Sequence, residues 1–253
     1  MQRQLSDWGG NLAAFVLVIV LNVMSNALPI NGQTMPEISA KYPSLFTPAG
    51  FTFSIWGVIY LALLLFVIYQ ALPSQRSNET IAGISRLFQV NCVANASWIV
   101  AWHYDLLTVS LLLMLVLLVT LILIYRALLG VVEQASITQH LLLHIPFSLY
   151  TGWITLATIA NVSTVQTGNG WDDLWLTAVS WTLLKLALAG AIGAAVVLRY
   201  GDAVFILVVA WAACGISVMQ SATPAVSGGA LTLSLLALLL AMNEAVARLR
   251  RLV

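Results

Sequence analysis

Eight apolar runs, each about 20 residues long, follow one another along the chain and are separated by short polar or Pro/Gly-containing breaks. They lie near 11–30, 51–72, 84–104, 107–129, 139–162, 174–198, 203–221 and 229–247. A helix rises about 1.5 Å per residue, so each run is long enough to cross a bilayer. Proline and glycine fall mostly at the ends of the runs, as in Leu72-Pro73, Pro224 and Gly228-Gly229. A tight turn around Asp105 joins the third run to the fourth. Two connections read as non-helical: Asn31 to Gly50, with Pro36, Pro43 and Pro48, and Ser163 to Asp173, with Gly168, Gly170 and the Asp172-Asp173 pair. The pattern predicts an all-α polytopic membrane protein with about eight spans.

One run departs from plain hydrophobicity. In the third, Asn91, Asn95, Trp98 and Trp102 recur at spacings of four, three and four, which predicts a shared helix face. A carboxamide in apolar surroundings is costly unless it meets a partner, a ligand or water. The stripe therefore either joins helices or lines a pocket for something flat and greasy, and the spacing leaves both readings open.

Composition agrees with the pattern. Of 253 residues, 61% are hydrophobic and 8% charged, and mean hydropathy is +0.97. Soluble domains are about 45–50% apolar and about 25% charged. The lipid bilayer is thus the expected surrounding, with no room for a sizeable soluble domain. A net charge of +1 gives no reason to expect nucleic acid as a partner. Cys92 and Cys214 both lie inside apolar runs and read as small packing residues.

With the N-terminus inside, Arg3, Arg76, Arg86, Arg126, Arg199, Arg248, Arg250 and Arg251 share the cytoplasmic side, and Lys41 alone lies opposite. This bias places both termini in the cytoplasm under the positive-inside rule. The expected location is a bacterial cell (inner) membrane. Arg3 followed by an apolar run and Ser25-Asn26-Ala27 also fits a cleavable leader. The polar Asn22, Ser25 and Asn26 read better as the interior face of a retained helix.

Aromatic residues are paired along several runs. Trp56 and Tyr60 are one turn apart on the second, and Trp98 and Trp102 on the third. Tyr150 and Trp153 are three apart on the fifth, with Asn161 two turns beyond Trp153. Aromatic faces stack on conjugated rings, and indole and amide N–H groups can bond a guest's carbonyl or carboxylate. Rings near span ends can equally form the interfacial belt.

Three of these stretches resemble the TspO/MBR family, the tryptophan-rich sensory proteins whose animal members are called translocator protein. Pro48-Ala49-Gly50-Phe51-Thr52-Phe53-Ser54-Ile55-Trp56-Gly57-Val58-Ile59-Tyr60 is similar to the entry of that family's second helix. Thr47 and Ser54 stand where the family pattern has prolines. Asn95-Ala96-Ser97-Trp98 resembles its Asn-x-x-Trp segment, and Tyr150-Thr151-Gly152-Trp153 with Ala157 and Asn161 resembles its fifth-helix segment. Leu149 holds the proline position there, with Pro146 three residues earlier. The resemblance covers roughly 10–165 and implies a five-helix core at 1–165, followed by a three-helix extension at 166–253. It also implies a pocket between the helices, covered by the loop after the first one. The implied guests are tetrapyrroles such as porphyrin or haem, sterols and related lipids, and no cofactor is firmly implied. Small residues at Ala187, Gly190, Ala191, Gly193, Ala194 and Ala195 suit close helix approach in the extension, for packing or a homodimer.

Lys185 sits near the middle of the sixth run, where an ammonium is expensive. It could meet a ligand carboxylate such as a porphyrin propionate, snorkel to one face, or bond backbone carbonyls. His140 and His144, four apart, lack a third metal-ligating residue at suitable spacing and read as a helix start; His103 lies at the outer end of the third run, where it could meet a tetrapyrrole. No nucleophile–base set emerges. The expected ligand-binding residues are Trp56, Tyr60, Asn91, Asn95, Trp98, Trp102, Tyr150, Trp153, Asn161 and Lys185. The expected function is binding of a hydrophobic, planar small-molecule ligand for sensing or translocation. Two alternatives stay open: an enzyme that degrades a tetrapyrrole with light and oxygen, which the resemblance suggests, and a secondary transporter, although inverted repeats are not evident.

Overall fold

A computed structural model describes residues 3–28, 30–171 and 174–252; the Asp172-Asp173 pair lies outside the described residues. Eight long helices account for the eight apolar runs, but the connections expected to be non-helical are partly helical: a short helix spans Met35–Lys41, and the helix of the fifth run continues through 163–168. The long helices are α1 (Leu5–Ala27), α2 (Ile55–Ala71), α3 (Glu79–His103) and α4 (Leu107–Leu129), then α5 (Ile145–Gly168), α6 (Ala178–Tyr200), α7 (Ala203–Met219) and α8 (Pro224–Leu252). The described residues form no strand beyond an isolated bridge between Ile30 and Gln33. The protein is therefore an all-α polytopic membrane protein, as the hydropathy pattern predicts.

Local chemistry sets the helix ends. Asn78 caps α3 by accepting from the Ile81 amide at 3.1 Å, and Asp202 caps α7 by accepting from the amides of Val204 and Phe205. Gly201, at φ +66°, ends α6 in the left-handed conformation that suits glycine. Six described spans are long and apolar enough to cross a membrane, the most apolar being Leu107–Leu129 with mean hydropathy 3.1. The other two long helices fall outside that group for different reasons. Helix α7 is apolar but has only 17 residues. Helix α3 has 25 but carries Gln89, Asn91 and Asn95.

Helix α4 shows the inside-out logic of a bilayer. Ser110, Met114, Leu117, Leu121, Ile124 and Leu128 form its buried seam. Val109, Leu112, Val116, Val119 and Leu123 are exposed on its other side. Both faces are oily, so hydropathy alone does not tell seam from lipid face.

The chain packs as two compact units. One comprises residues 1–39 and 56–151, the other 40–55 and 152–253. In the second unit α5 packs from Gly152 onward on α7. At Gly152 an added Cβ would meet Val208 Cβ at 3.2 Å and the Phe205 carbonyl at 3.4 Å, so that part of the helix packs directly on α7.

In the first unit α3 packs against both α1 and α4. Phe66, Phe88 and Phe147 form an edge-to-face triangle with centroids 5.0–5.9 Å apart. At one end, buried Arg3 donates to the Gln70 carbonyl at 2.7 Å and to Ser85 Oγ at 3.3 Å, and pairs with Asp7 at 3.4 Å. Burial pulls the Arg3 pKa down from its ordinary value, and Asp7 opposes that pull. These bonds tie the start of α1 to the rest of the unit. At the other end Asn31 and Gly32, at φ +53° and +70°, make a turn of the type I′ kind. Asn31 and Gln33 side chains both donate to the His103 carbonyl, at 3.1 and 3.3 Å. Their bonds satisfy a carbonyl that the end of α3 leaves open.

In the second unit the small residues of α6 let two helices in. A Cβ on Gly193 would come within 2.6 Å of Ile206, and one on Gly190 within 2.7 Å of Leu233. The segment 40–55 is strapped onto α7. The Ala49 amide donates to the Gly215 carbonyl at 3.0 Å. Trp211 Nε1 donates to the Thr52 carbonyl at 2.9 Å, and Gln220 Nε2 to the Thr47 carbonyl at 3.2 Å. Phe51 meets the Trp211 ring edge-on at 5.5 Å. The Thr52 side chain occupies the space where a Cβ on Gly215 would go.

A Gly215→Val substitution should therefore expel Thr52 and loosen the strap. The expected cost is about 1–3 kcal/mol, read as a lower unfolding temperature in detergent and faster proteolysis within 40–55. A thermal midpoint and cleavage rate equal to those of the parent protein would contradict this packing.

Candidate ligand-binding site

Helix α3 carries the polar residues that organise the first unit, and its two asparagines face different neighbours. Asn91 Nδ2 donates to the Leu117 carbonyl at 3.1 Å and to Thr120 Oγ1 at 2.8 Å, both on α4. Asn95 turns toward α1 and α5. Asn22 Nδ2 donates to Asn95 Oδ1 at 3.3 Å, and Asn95 Nδ2 donates to the Tyr150 hydroxyl at 2.7 Å. Four residues along a helix are about 400° of rotation, or 40° off register. Side chains on one broad face can still take different partners.

Aromatic rings close around the Asn95–Tyr150 bond. Trp56 stacks on Tyr60 with centroids 5.3 Å apart and planes at 20°. It also meets Tyr150 edge-on at 6.0 Å. The Tyr60 hydroxyl is buried with no partner at hydrogen-bonding distance; the Asn95 and Asn22 amides lie close enough for weaker polar contact with its oxygen, and Tyr150 is beside it. Trp98 and Trp102 stack on each other at 5.6 Å and 24°. The Trp98 N–H is likewise buried without a partner.

Of the ten expected residues, Trp56, Tyr60, Asn91, Asn95, Trp98, Trp102 and Tyr150 fall in the first unit. Trp56, Tyr60, Asn95 and Tyr150 are drawn together there. Trp98 and Trp102 form a stack of their own, and Asn91 joins α3 to α4. Trp153, Asn161 and Lys185 belong to the second unit. Trp153 is buried and meets Phe53 edge-on at 6.1 Å. Asn161 is buried on the same helix. Lys185 Nζ, half-buried, donates to Ser163 Oγ at 2.8 Å, and Ser163 Oγ donates in turn to the Ile159 carbonyl at 3.0 Å. An open apolar cleft of about 410 Å³ lies between α6 and α8, lined by Leu183, Ala187, Gly190, Gly229, Leu233 and Leu236 among others.

The histidines divide as well. His103 is fully buried, with Nδ1 2.7 Å from the Ile99 carbonyl. His140 and His144 bracket a π-helical turn ahead of α5, their rings 4.9 Å apart. Among the described residues no group of three or more His, Cys, Asp or Glu side chains is arranged to hold a metal ion.

Sequence reasoning missed two parts of this picture. It placed Asn22 on an interior helix face without connecting it to Asn95, and it did not connect Arg3 with Gln70 and Ser85. Both are bonds between residues far apart in the chain, for which spacing on one helix carries no signal. The only hint at Arg3 was a basic residue just ahead of an apolar run, which served as a topology marker instead.

The fold and these bonds define a polytopic helical membrane protein whose spans are joined by amide and aromatic contacts. A family model described as TSPO-like protein matches residues 8–243, and the chain belongs to that family. The match runs through the C-terminal helices as well as the five-helix region. No curated protein and no solved structure matches the chain.

Replacing Asn91 with alanine separates glue from ligand contact. Loss of its bonds to α4 should lower stability by about 0.6–2 kcal/mol. Ligand affinity, measured on the folded fraction, should stay unchanged. A large affinity loss at parental stability would place Asn91 in the binding surface instead.

Proposed function

We propose that the protein binds a flat, hydrophobic small molecule within its first unit, for sensing or translocation across the membrane. The observation that carries this reading is the cluster of Trp56, Tyr60, Asn95 and Tyr150. It combines stacked and edge-on rings with a hydroxyl that the protein leaves unmatched. Packed interiors satisfy nearly all buried polar groups, and each exception calls for an explanation. Aromatic faces supply apolar area for a conjugated or fused-ring guest. Membership of a TSPO-like family supports the same class of guest, with tetrapyrroles, sterols and similar lipids as the ligand classes to try first. We place both termini in the cytoplasm, on the positive-inside argument.

Titration with protoporphyrin IX tests the reading directly. Tryptophan fluorescence should be quenched saturably. A Trp56→Ala variant should shift the midpoint several-fold, because an aromatic contact contributes about 0.5–1.5 kcal/mol beyond its buried area. The midpoint is the quantity to compare, since removing an indole also lowers the signal. Linear, non-saturating quenching in the parent protein would show partition into detergent rather than binding.

A further inference from the structure

The hydrogen bonds around Asn95 run in one direction. Asn22 Nδ2 donates to the Val18 carbonyl at 2.9 Å, an atom that can only accept, so the orientation of the Asn22 amide is fixed. The same nitrogen faces Asn95 Oδ1 at 3.3 Å, which fixes the second amide in turn. Asn95 must therefore present its NH₂ group to Tyr150, as the 2.7 Å bond shows. Tyr150 oxygen is the acceptor in that bond, and its own proton has to point elsewhere. The structure gives that proton no acceptor among the described residues. Beside it lies a second phenol, Tyr60, whose hydroxyl is buried and unbonded.

Two phenolic protons thus meet in one cluster with nothing to receive them. A hydroxyl held this way in apolar surroundings gives up the bond it would have in water. Satisfying it within the chain would need an acceptor, and none of the described residues brings one to hydrogen-bonding distance of the Tyr60 hydroxyl. An incoming molecule can supply the acceptor. The cluster contains no cation, so a carboxylate brought here would lose its hydration without a counter-charge. A neutral acceptor does not carry that cost.

We propose that the site selects its ligand through a neutral carbonyl oxygen, received by the hydroxyl protons of Tyr60 and Tyr150 while the ring system lies against Trp56. This rests on the reading of the cluster as a ligand site and narrows it to flat hydrophobic molecules carrying a ketone, quinone or ester carbonyl. Pure hydrocarbons of the same shape bind more weakly. Tyr60 and Tyr150 are the specificity-determining residues, and Asn22 acts through Asn95 as a positioning residue.

A matched pair of flat probes tests this: benz[a]anthracene and benz[a]anthracene-7,12-dione, titrated into full-length protein in nanodiscs. Each affinity is expressed per mole fraction of probe in the bilayer. The dione should bind about tenfold more tightly in the parent protein, the equivalent of one good hydrogen bond. In Tyr60→Phe the preference should drop to about threefold or less, with hydrocarbon affinity within about twofold of the parent. Tyr60→Phe breaks no hydrogen bond in the ligand-free protein, so its unfolding temperature should stay level or rise, which a purely structural tyrosine would not show. Equal binding of the two probes by the parent, with the hydrocarbon saturable, would overturn the carbonyl inference and leave the ligand-site reading standing. A dione preference that persists in Tyr60→Phe would also overturn it. Saturable binding of neither probe would remove the ligand site and this inference together.

Discussion

A polar side chain inside an apolar helix bundle must find a partner there, because neither the lipid nor the hydrocarbon core offers one. That requirement organises the protein more tightly than hydrophobic burial does. Leucine, valine and isoleucine occupy both seam and lipid face of α4, so they do not by themselves choose which side turns inward. The asparagines do choose. Asn91 holds α3 to α4 through a backbone carbonyl and a threonine hydroxyl. Asn95 holds α3 to α1 and to the start of α5. Once those bonds are set, the orientation of α3 about its own axis is determined, and the aromatic residues one turn away are carried into place with it.

The same requirement explains the two ends of the first unit. Arg3 is buried, yet its guanidinium has the Gln70 carbonyl, Ser85 and Asp7 around it. A guanidinium presents five donors in a fixed fork, which suits a site where three elements converge. At the opposite end the Asn31-Gly32 turn places two side-chain amides on one carbonyl at the end of α3. Both ends are thus closed by hydrogen bonds from segments outside the helix ladder, where the last turns leave backbone groups open.

Most of the helices were legible in the chain because they are long, apolar and bounded by turn-forming residues. The placing of Trp56 with Tyr60 and of Trp98 with Trp102 on one helix face was legible too, though the rings stack on each other, where the spacing suggested stacking on a guest. Three features were not. Asn91 and Asn95 share a predicted face, but a 40° step was enough to send them to different helices. The strap from 40 to 55 onto α7 joins residues such as Thr52 and Trp211, 159 positions apart, and no local pattern announces such a bond. The third is the close approach of Gly152 to Phe205 and Val208. A glycine inside an apolar run reads the same whether it faces lipid, a ligand or another helix.

Unmatched polar atoms in this structure do not all have one cause, and the difference bears on which of them can serve a ligand. The Thr52 hydroxyl is buried without a partner because the side chain is wedged where Gly215 has no Cβ. Close packing fills the space around it, so no guest can approach. The Tyr60 hydroxyl is unmatched for another reason. It has polar neighbours, Asn22, Asn95 and Tyr150, which bond to one another but bring no partner to hydrogen-bonding distance of Tyr60. The proposed ligand site turns on that difference: a molecule bringing an acceptor to Tyr60 would relieve the second orphan, whereas folding alone would favour phenylalanine at that position.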